Sequence, residues 1–152
     1  MRTITHDNFF VDDVQVADTR TWTNNGQDVN GFWSYTKTAT DMKLTFADGT
    51  TTTGDKVRTS ILIEGGSTAA PLDDVWSSTG TASGVNRQGN AFSATITGPL
   101  IKHADCRWIS QGTLSVVRGT RSATIDFGSG ECDRLAQLTN ANGNTFSIRL
   151  RR

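Results

Sequence analysis

The chain holds two cysteines, Cys106 and Cys132, and the segment they bracket, CRWISQGTLSVVRGTRSATIDFGSGEC, consists of two alternating runs that meet at Arg118-Gly119-Thr120-Arg121. Alternation of apolar and polar residues marks a half-buried strand, and a glycine-containing pair between two such runs marks a hairpin. With Gly119 and Thr120 as a two-residue turn, Leu114 faces Ile125, Val116 faces Ala123 and Gly112 faces Phe127. The apolar residues then share one face. The same register sets Cys106 opposite Asp133, one residue past Cys132, and a single β-bulge near Gly128-Ser129-Gly130 changes it by that one residue. The pattern predicts a Cys106–Cys132 disulfide that fastens the open end of the hairpin, worth ~3 kcal/mol on the chain-entropy relation. The competing reading is a cytosolic protein with two reduced, buried thiols.

The rest of the chain repeats the motif of strand and turn. Turn signals stand at Asn24-Asn25-Gly26, Asp48-Gly49, Glu64-Gly65-Gly66, Asn86 to Asn90, Gly119 and Asn140 to Asn144. Strand-length runs lie between them: Met42, Leu44 and Phe46 share a face, as do Val57, Ile61 and Ile63, Phe92, Ala94 and Ile96, and Phe146, Ile148 and Leu150. About ten strands are predicted, near 3–10, 14–23, 32–38, 41–46, 51–63, 75–82, 91–97, 107–117, 121–127 and 145–150, with 134–139 as a short addition. No helix is demanded, although 99–105 has room for a turn. No linker or repeat divides residues 1–152. The fold class is therefore all-β, a single mostly antiparallel domain arranged as a sandwich, a roll or a barrel-like meander.

Charge is balanced, with 15 basic and 15 acidic residues. Nucleic-acid binders and partners of anionic membranes usually show a basic excess or patch, and the linear sequence shows neither, so nucleic acid is not an expected partner. Arg149, Arg151 and Arg152 make a small basic end, read as a solvated strand terminus. No apolar run reaches the ~18–20 residues of a membrane span, and MRTITHDNFF lacks the apolar centre of a signal peptide. A persistent disulfide nevertheless requires an oxidising compartment. The two agree if an export signal ahead of Met1 has been removed.

The stretch ITGPLIKHADCRWISQGTLSV, followed by TIDFGSGECD and NGNTFSIRL, resembles uncharacterised exported all-β lipoproteins of Bacteroidota. In that family a Cys-Arg-Trp-Ile segment and a Gly-x-Gly-x-Cys-Asp segment close the domain. The amino-terminal TITHDNFFV and ADTRTWTN fit the same pattern. The resemblance implies export, a lipid anchor on a cysteine upstream of Met1 as the sole membrane attachment, and a periplasmic or cell-surface location. It implies no activity.

Three groups of side chains are candidates for chemistry. Cys106 has His103 three residues before it, but on an extended segment the two point to opposite faces, which disfavours a thiol nucleophile. Asp126, Glu131 and Asp133 surround Gly128 and Gly130, so a glycine-bent loop could gather oxygen ligands for calcium; turn chemistry explains the same residues, and the spacing is not that of an EF-hand. Asp12-Asp13 and Asp73-Asp74 are acidic pairs without a metal spacing, and zinc has a poor ligand set here. The third group is aromatic. Trp22, Trp33, Tyr35 and Trp76 are candidates for a sugar-stacking platform, and Trp33 and Tyr35, two apart, share one face of a strand. Burial in a core is the competing reading for each. Trp108 is expected in the core beside Leu114 and Val116.

No nucleophile elbow, phosphate loop or dinucleotide fingerprint occurs. The outward strand positions are mostly Thr, Ser and Asn, a weakly charged surface suited to sugar hydroxyls or to dense protein packing. The expectation is a non-enzymatic extracytoplasmic binding domain without a cofactor, recognising a glycan through Trp33, Tyr35 and Trp76. The alternative is a structural or adhesive subunit that self-associates, or meets a surface protein, through edge strands. An enzyme is the third class, which acidic side chains clustered in a deep pocket would favour.

Overall fold

The computed structural model describes residues 1–150; Arg151 and Arg152 of the basic end lie outside the described residues. Ten strands follow one another: β1 (Arg2–Val11), β2 (Val14–Gln27), β3 (Trp33–Thr45), β4 (Thr51–Glu64), β5 (Val75–Val85), β6 (Ala91–His103), β7 (Gln111–Arg118), β8 (Arg121–Ser129), β9 (Leu135–Asn140) and β10 (Thr145–Arg149). Each pairs antiparallel with its neighbours in sequence, giving one ten-stranded sheet in the order β1 to β10. The chain thus takes the meander among the expected arrangements, and the sheet does not close into a barrel: β1 and β10 remain edges.

The turns explain why the meander forms. Four connections share one design, at Asp28–Phe32, Phe46–Thr50, Asn86–Asn90 and Asn140–Asn144. In each, the first and fifth residues are joined by a backbone hydrogen bond, and a glycine with φ near +80° (Gly31, Gly49, Gly89 or Gly143) occupies the fourth place. Asp28, Asn86 and Asn140 also accept two backbone amides each through Oδ1. Side-chain capping of this kind and a left-handed glycine define the tight hairpin loop.

Several sequence expectations need correction. Segments 32–38 and 41–46 are one strand, β3, because a bulge at Thr40–Asp41 absorbs the irregularity with Asp41 at φ 54°. Asn24-Asn25-Gly26 is a bulge within β2, which continues to Gln27. Segment 134–139 is a full strand, and β6 runs through Gly98-Pro99 to His103 with two register shifts, where a turn had room.

The Cys106–Cys132 disulfide is present, with Cα atoms 5.7 Å apart. Leu114 pairs with Ile125 and Val116 with Ala123, as the hairpin register predicts. The route to the disulfide differs. The bulge puts its extra residue in β8, between Asp126 and Ser129, which pairs Gln111 with Ser129 and moves the register away from Cys132. Residues 104–110 leave the strand instead, and Cys106 sits in the β6–β7 loop, its amide donating to His103. The disulfide joins this loop to the β8–β9 loop. Fully buried Ser110 supports the junction, accepting the Gly130 amide and donating its own amide to Ile101. Trp108, in the same loop and off β7, is half-buried under Arg107.

Register divides the sheet into two unlike faces. On one, an unbroken row of partners crosses all ten strands from Thr3 to Thr145, and every position but Val57 is Thr or Ser. The other face carries the core, where Leu100, Phe127 and Ala136 are buried and Ile96, Leu114, Ile125 and Ile148 pack against them. That cluster lies on β6 to β10. Val57 and Ile61 of β4 turn instead to the hydroxyl face, and Val57 stays exposed. The accessible surface is 9874 Å², against about 7,500 Å² for a compact monomer of this mass. A single sheet layer leaves much of both faces open.

Candidate functional site

The core face changes character between β2 and β5. Tyr35 of β3 is opposite Ser60 of β4, which is opposite Ser78 of β5, and Leu62 is opposite Trp76. This brings Tyr35 and Trp76 together from strands that are not adjacent. Their ring centroids are 5.8 Å apart, with the planes tilted by 52°. Trp33 precedes Tyr35 by two residues on the same face, and its side is open, with 37% of the residue exposed. Trp22 is on this face too, paired with Lys37. The aromatic residues singled out in the sequence therefore converge on one face, where Tyr35, Trp76 and Trp22 are half-buried.

Polar groups surround the rings. Asn24 is opposite Tyr35, and the Ser60 and Ser78 hydroxyls are 2.9 Å apart beside it. A cavity of about 290 Å³ adjoins Trp33 and Leu62 under the β4–β5 loop.

Basic residues, which sequence reasoning did not select, occupy the next positions of the same face. The row beyond Tyr35 reads Arg2, Trp22, Lys37, Arg58, and the row after that includes Arg20, Ala39 and Lys56. Asp18, opposite His6 of β1, is a carboxylate of this face, and Glu64 of β4 lines the cavity beside Trp33. The Asp18 side chain is fully buried, accepting from His6 Nδ1 at 2.5 Å and Arg20 Nε at 2.7 Å. Burial alone would raise the Asp18 pKa, but the hydrogen bonds from His6 and Arg20, with their charges, outweigh it and hold the carboxyl below its ordinary value. Asp55, next to Lys56 in sequence, points to the other face, where its Oδ1 accepts the Asp41 amide at 2.8 Å.

The acidic candidates are elsewhere. Asp126, Glu131 and Asp133 line one cavity of about 450 Å³ beside the disulfide-linked loops. Two are engaged in turns: Asp126 accepts the Gly128 amide and Asp133 the Leu135 amide, both at 2.8 Å. Among the described residues no three His, Cys, Asp or Glu side chains gather as a metal ion would require. Both cysteines are oxidised.

In comparison with known proteins, the chain matches no family model, no curated protein and no solved structure.

Proposed function

We propose that the protein is an extracytoplasmic binding domain of a bacterial surface lipoprotein, without catalytic activity, that recognises a glycan on its aromatic face. One observation carries this reading: Tyr35 and Trp76, from strands separated by β4, meet at 5.8 Å on an open sheet face, with Trp33 exposed beside them. Ring faces of this kind stack on sugar rings, while Asn24 and Ser60 offer hydrogen bonds to hydroxyls. The disulfide is compatible with an oxidising compartment outside the cytoplasm. The test is polysaccharide binding by Trp33→Ala and Trp76→Ala, with folding checked by circular dichroism. Loss of binding in both folded variants supports the reading; wild-type binding in both removes it.

A second reading has its own observation. Both edge strands are unpaired, and β1 exposes Phe9 and Phe10 at its end. Open backbone donors and acceptors beside apolar side chains suit pairing with another copy or with a surface protein. Concentration-dependent elution from a sizing column, abolished by Phe10→Lys, would favour this adhesive role. Elution as a monomer at every concentration would exclude self-association.

A further inference from the structure

Net charge conceals a one-sided distribution. Lys37 and Arg58 are direct cross-strand partners, and Lys56 is two residues from Arg58 on the same strand and face. The backbone positions of Lys37 and Lys56 are thus each within about 7 Å of that of Arg58, across and along the strands. The ion pairs among the described residues are His6–Asp18, Arg20–Asp18 and Arg87–Asp48. None relieves Lys37, Lys56 or Arg58. The Arg58 Nε is buried and has no hydrogen-bond partner in the protein. Like charges directly opposite one another on a sheet destabilise it, so this arrangement calls for a counter-charge from outside.

Geometry connects the cations to the aromatic platform. Tyr35 and Lys37 are two residues apart on β3, so their backbone positions on this face are offset by one pleat repeat, about 7 Å. On the other side of Arg58 the face is nearly bare: Gly80 is its partner on β5, and Ala82 is the partner of Lys56. An added Cβ at Gly80 would come within 2.2 Å of the Val57 carbonyl oxygen, so the strands close up and no side chain fills the space. A groove of about 170 Å³ remains there, edged by Lys56 and Arg58, floored by Gly80, Ala82 and Ala94, and bounded by the apolar Ile96, Leu100 and Leu114.

From this juxtaposition we infer that the ligand of the aromatic face is an acidic polysaccharide, whose carboxylate or sulfate groups meet Lys37, Lys56 and Arg58 while a neighbouring sugar ring lies on Tyr35 and Trp76. The inference rests on the glycan reading and adds the sign of the ligand's charge. Arg58 offers a planar fork for a carboxylate, and the lysines act as point charges. The disulfide is compatible with an oxidising compartment outside the cytoplasm.

The experiment is binding of the whole chain to immobilised polygalacturonate, chondroitin sulfate, dextran and double-stranded DNA at 50 and 200 mM NaCl. The variants are Lys37→Gln, Lys56→Gln and, as the control on the hydroxyl face, Lys43→Gln. The expected result is retention on one acidic polysaccharide that weakens with salt, exceeds that on dextran, and falls about tenfold in Lys37→Gln and Lys56→Gln, the loss of one charge-assisted contact. Lys43→Gln should bind as wild type. Retention on dextran equal to that on the acidic chains would overturn the inference and leave the glycan reading standing. Tighter retention on DNA, or acidic binding unchanged in both face variants, would overturn it as well. Failure to bind any polysaccharide, charged or neutral, would remove both readings together.

Discussion

Lys37 of β3 and Arg58 of β4 face each other across the sheet as a pair of like charges, on the same side as Tyr35 and Trp76. With no counter-ion, the pair should oppose folding. Lys37→Gln is expected to raise unfolding free energy by about 0.2–1 kcal/mol, the scale of a cross-strand pair. Urea denaturation at low salt measures it, and the gain should shrink as salt screens the wild-type repulsion. A variant less stable than wild type would show that the lysine is already compensated.

Asp18 makes stability depend on acid. Its pKa is held below the ordinary 3.8 in the folded chain, so its contribution is fully present above the unfolded value and is lost as pH falls through the lower folded value. Asp18→Asn should therefore be less stable than wild type at pH 7, and the difference should narrow as pH falls below about 4. Thermal melts across that range supply the measurement. A pH-independent difference would assign the cost to packing alone.

The disulfide spans a sequence separation of 26. Cys106→Ser with Cys132→Ser should lose about 3 kcal/mol. Far-ultraviolet circular dichroism should be unchanged, because the disulfide joins two loops and no strand depends on it for pairing. Collapse of the strand signal in the double variant would contradict this separation of roles.

Two glycines with positive φ separate backbone conformation from close approach. Gly143, at φ 81°, has open space around its missing Cβ, whereas Gly112, at φ 112°, would set a Cβ 2.2 Å from the Pro99 carbonyl oxygen. Gly143→Ala should cost about 1 kcal/mol, from backbone strain alone. Gly112→Ala should cost about 2 kcal/mol or more, because the β6 backbone must also move. Equal losses would mean that β6 yields freely at Pro99.

Burial predicts a different contrast. Leu100 is 5% exposed within the core cluster, and Trp33, on β3 outside that cluster, is 37% exposed. Leu100→Ala should lose about 2–5 kcal/mol. Trp33→Ala should lose less than Leu100→Ala despite removing more atoms, since more than a third of the residue is already in water. Chemical denaturation of the two variants side by side decides it.

How far the molecule can be read from its residues depends on bulges. The Gly119-Thr120 hairpin is legible because alternation and turn agree, and Leu114–Ile125 and Val116–Ala123 follow from counting. Trp33 and Tyr35 are legible as a pair for the same reason, and Trp76 joins them through the regular β4–β5 register. The basic cluster is not. Carrying the Thr45–Thr51 and Met42–Gly54 register back along β3 sets Lys37 opposite Thr59, on the wrong face. The bulge at Thr40–Asp41 moves the register by one residue and puts Arg58 there instead. Period-two patterns carry no mark of such a slip beyond an Asp-Met step at positions 41 and 42. The same limit hid the path of Cys106, whose loop bends where counting extended the strand.

Because every strand pairs with its sequence neighbours, the chain has little need for distant segments to find each other. Low contact order of this sort favours fast folding, hairpin by hairpin, and makes the sheet behave as a one-dimensional array. Such an array has a polarity here. The buried cluster and the disulfide lie from β6 onward, so hydrogen exchange should be slowest there. Opening should begin at β1, and strands β2 to β5, with their aromatic and basic side chains, would then sit between a nucleus and a fraying end.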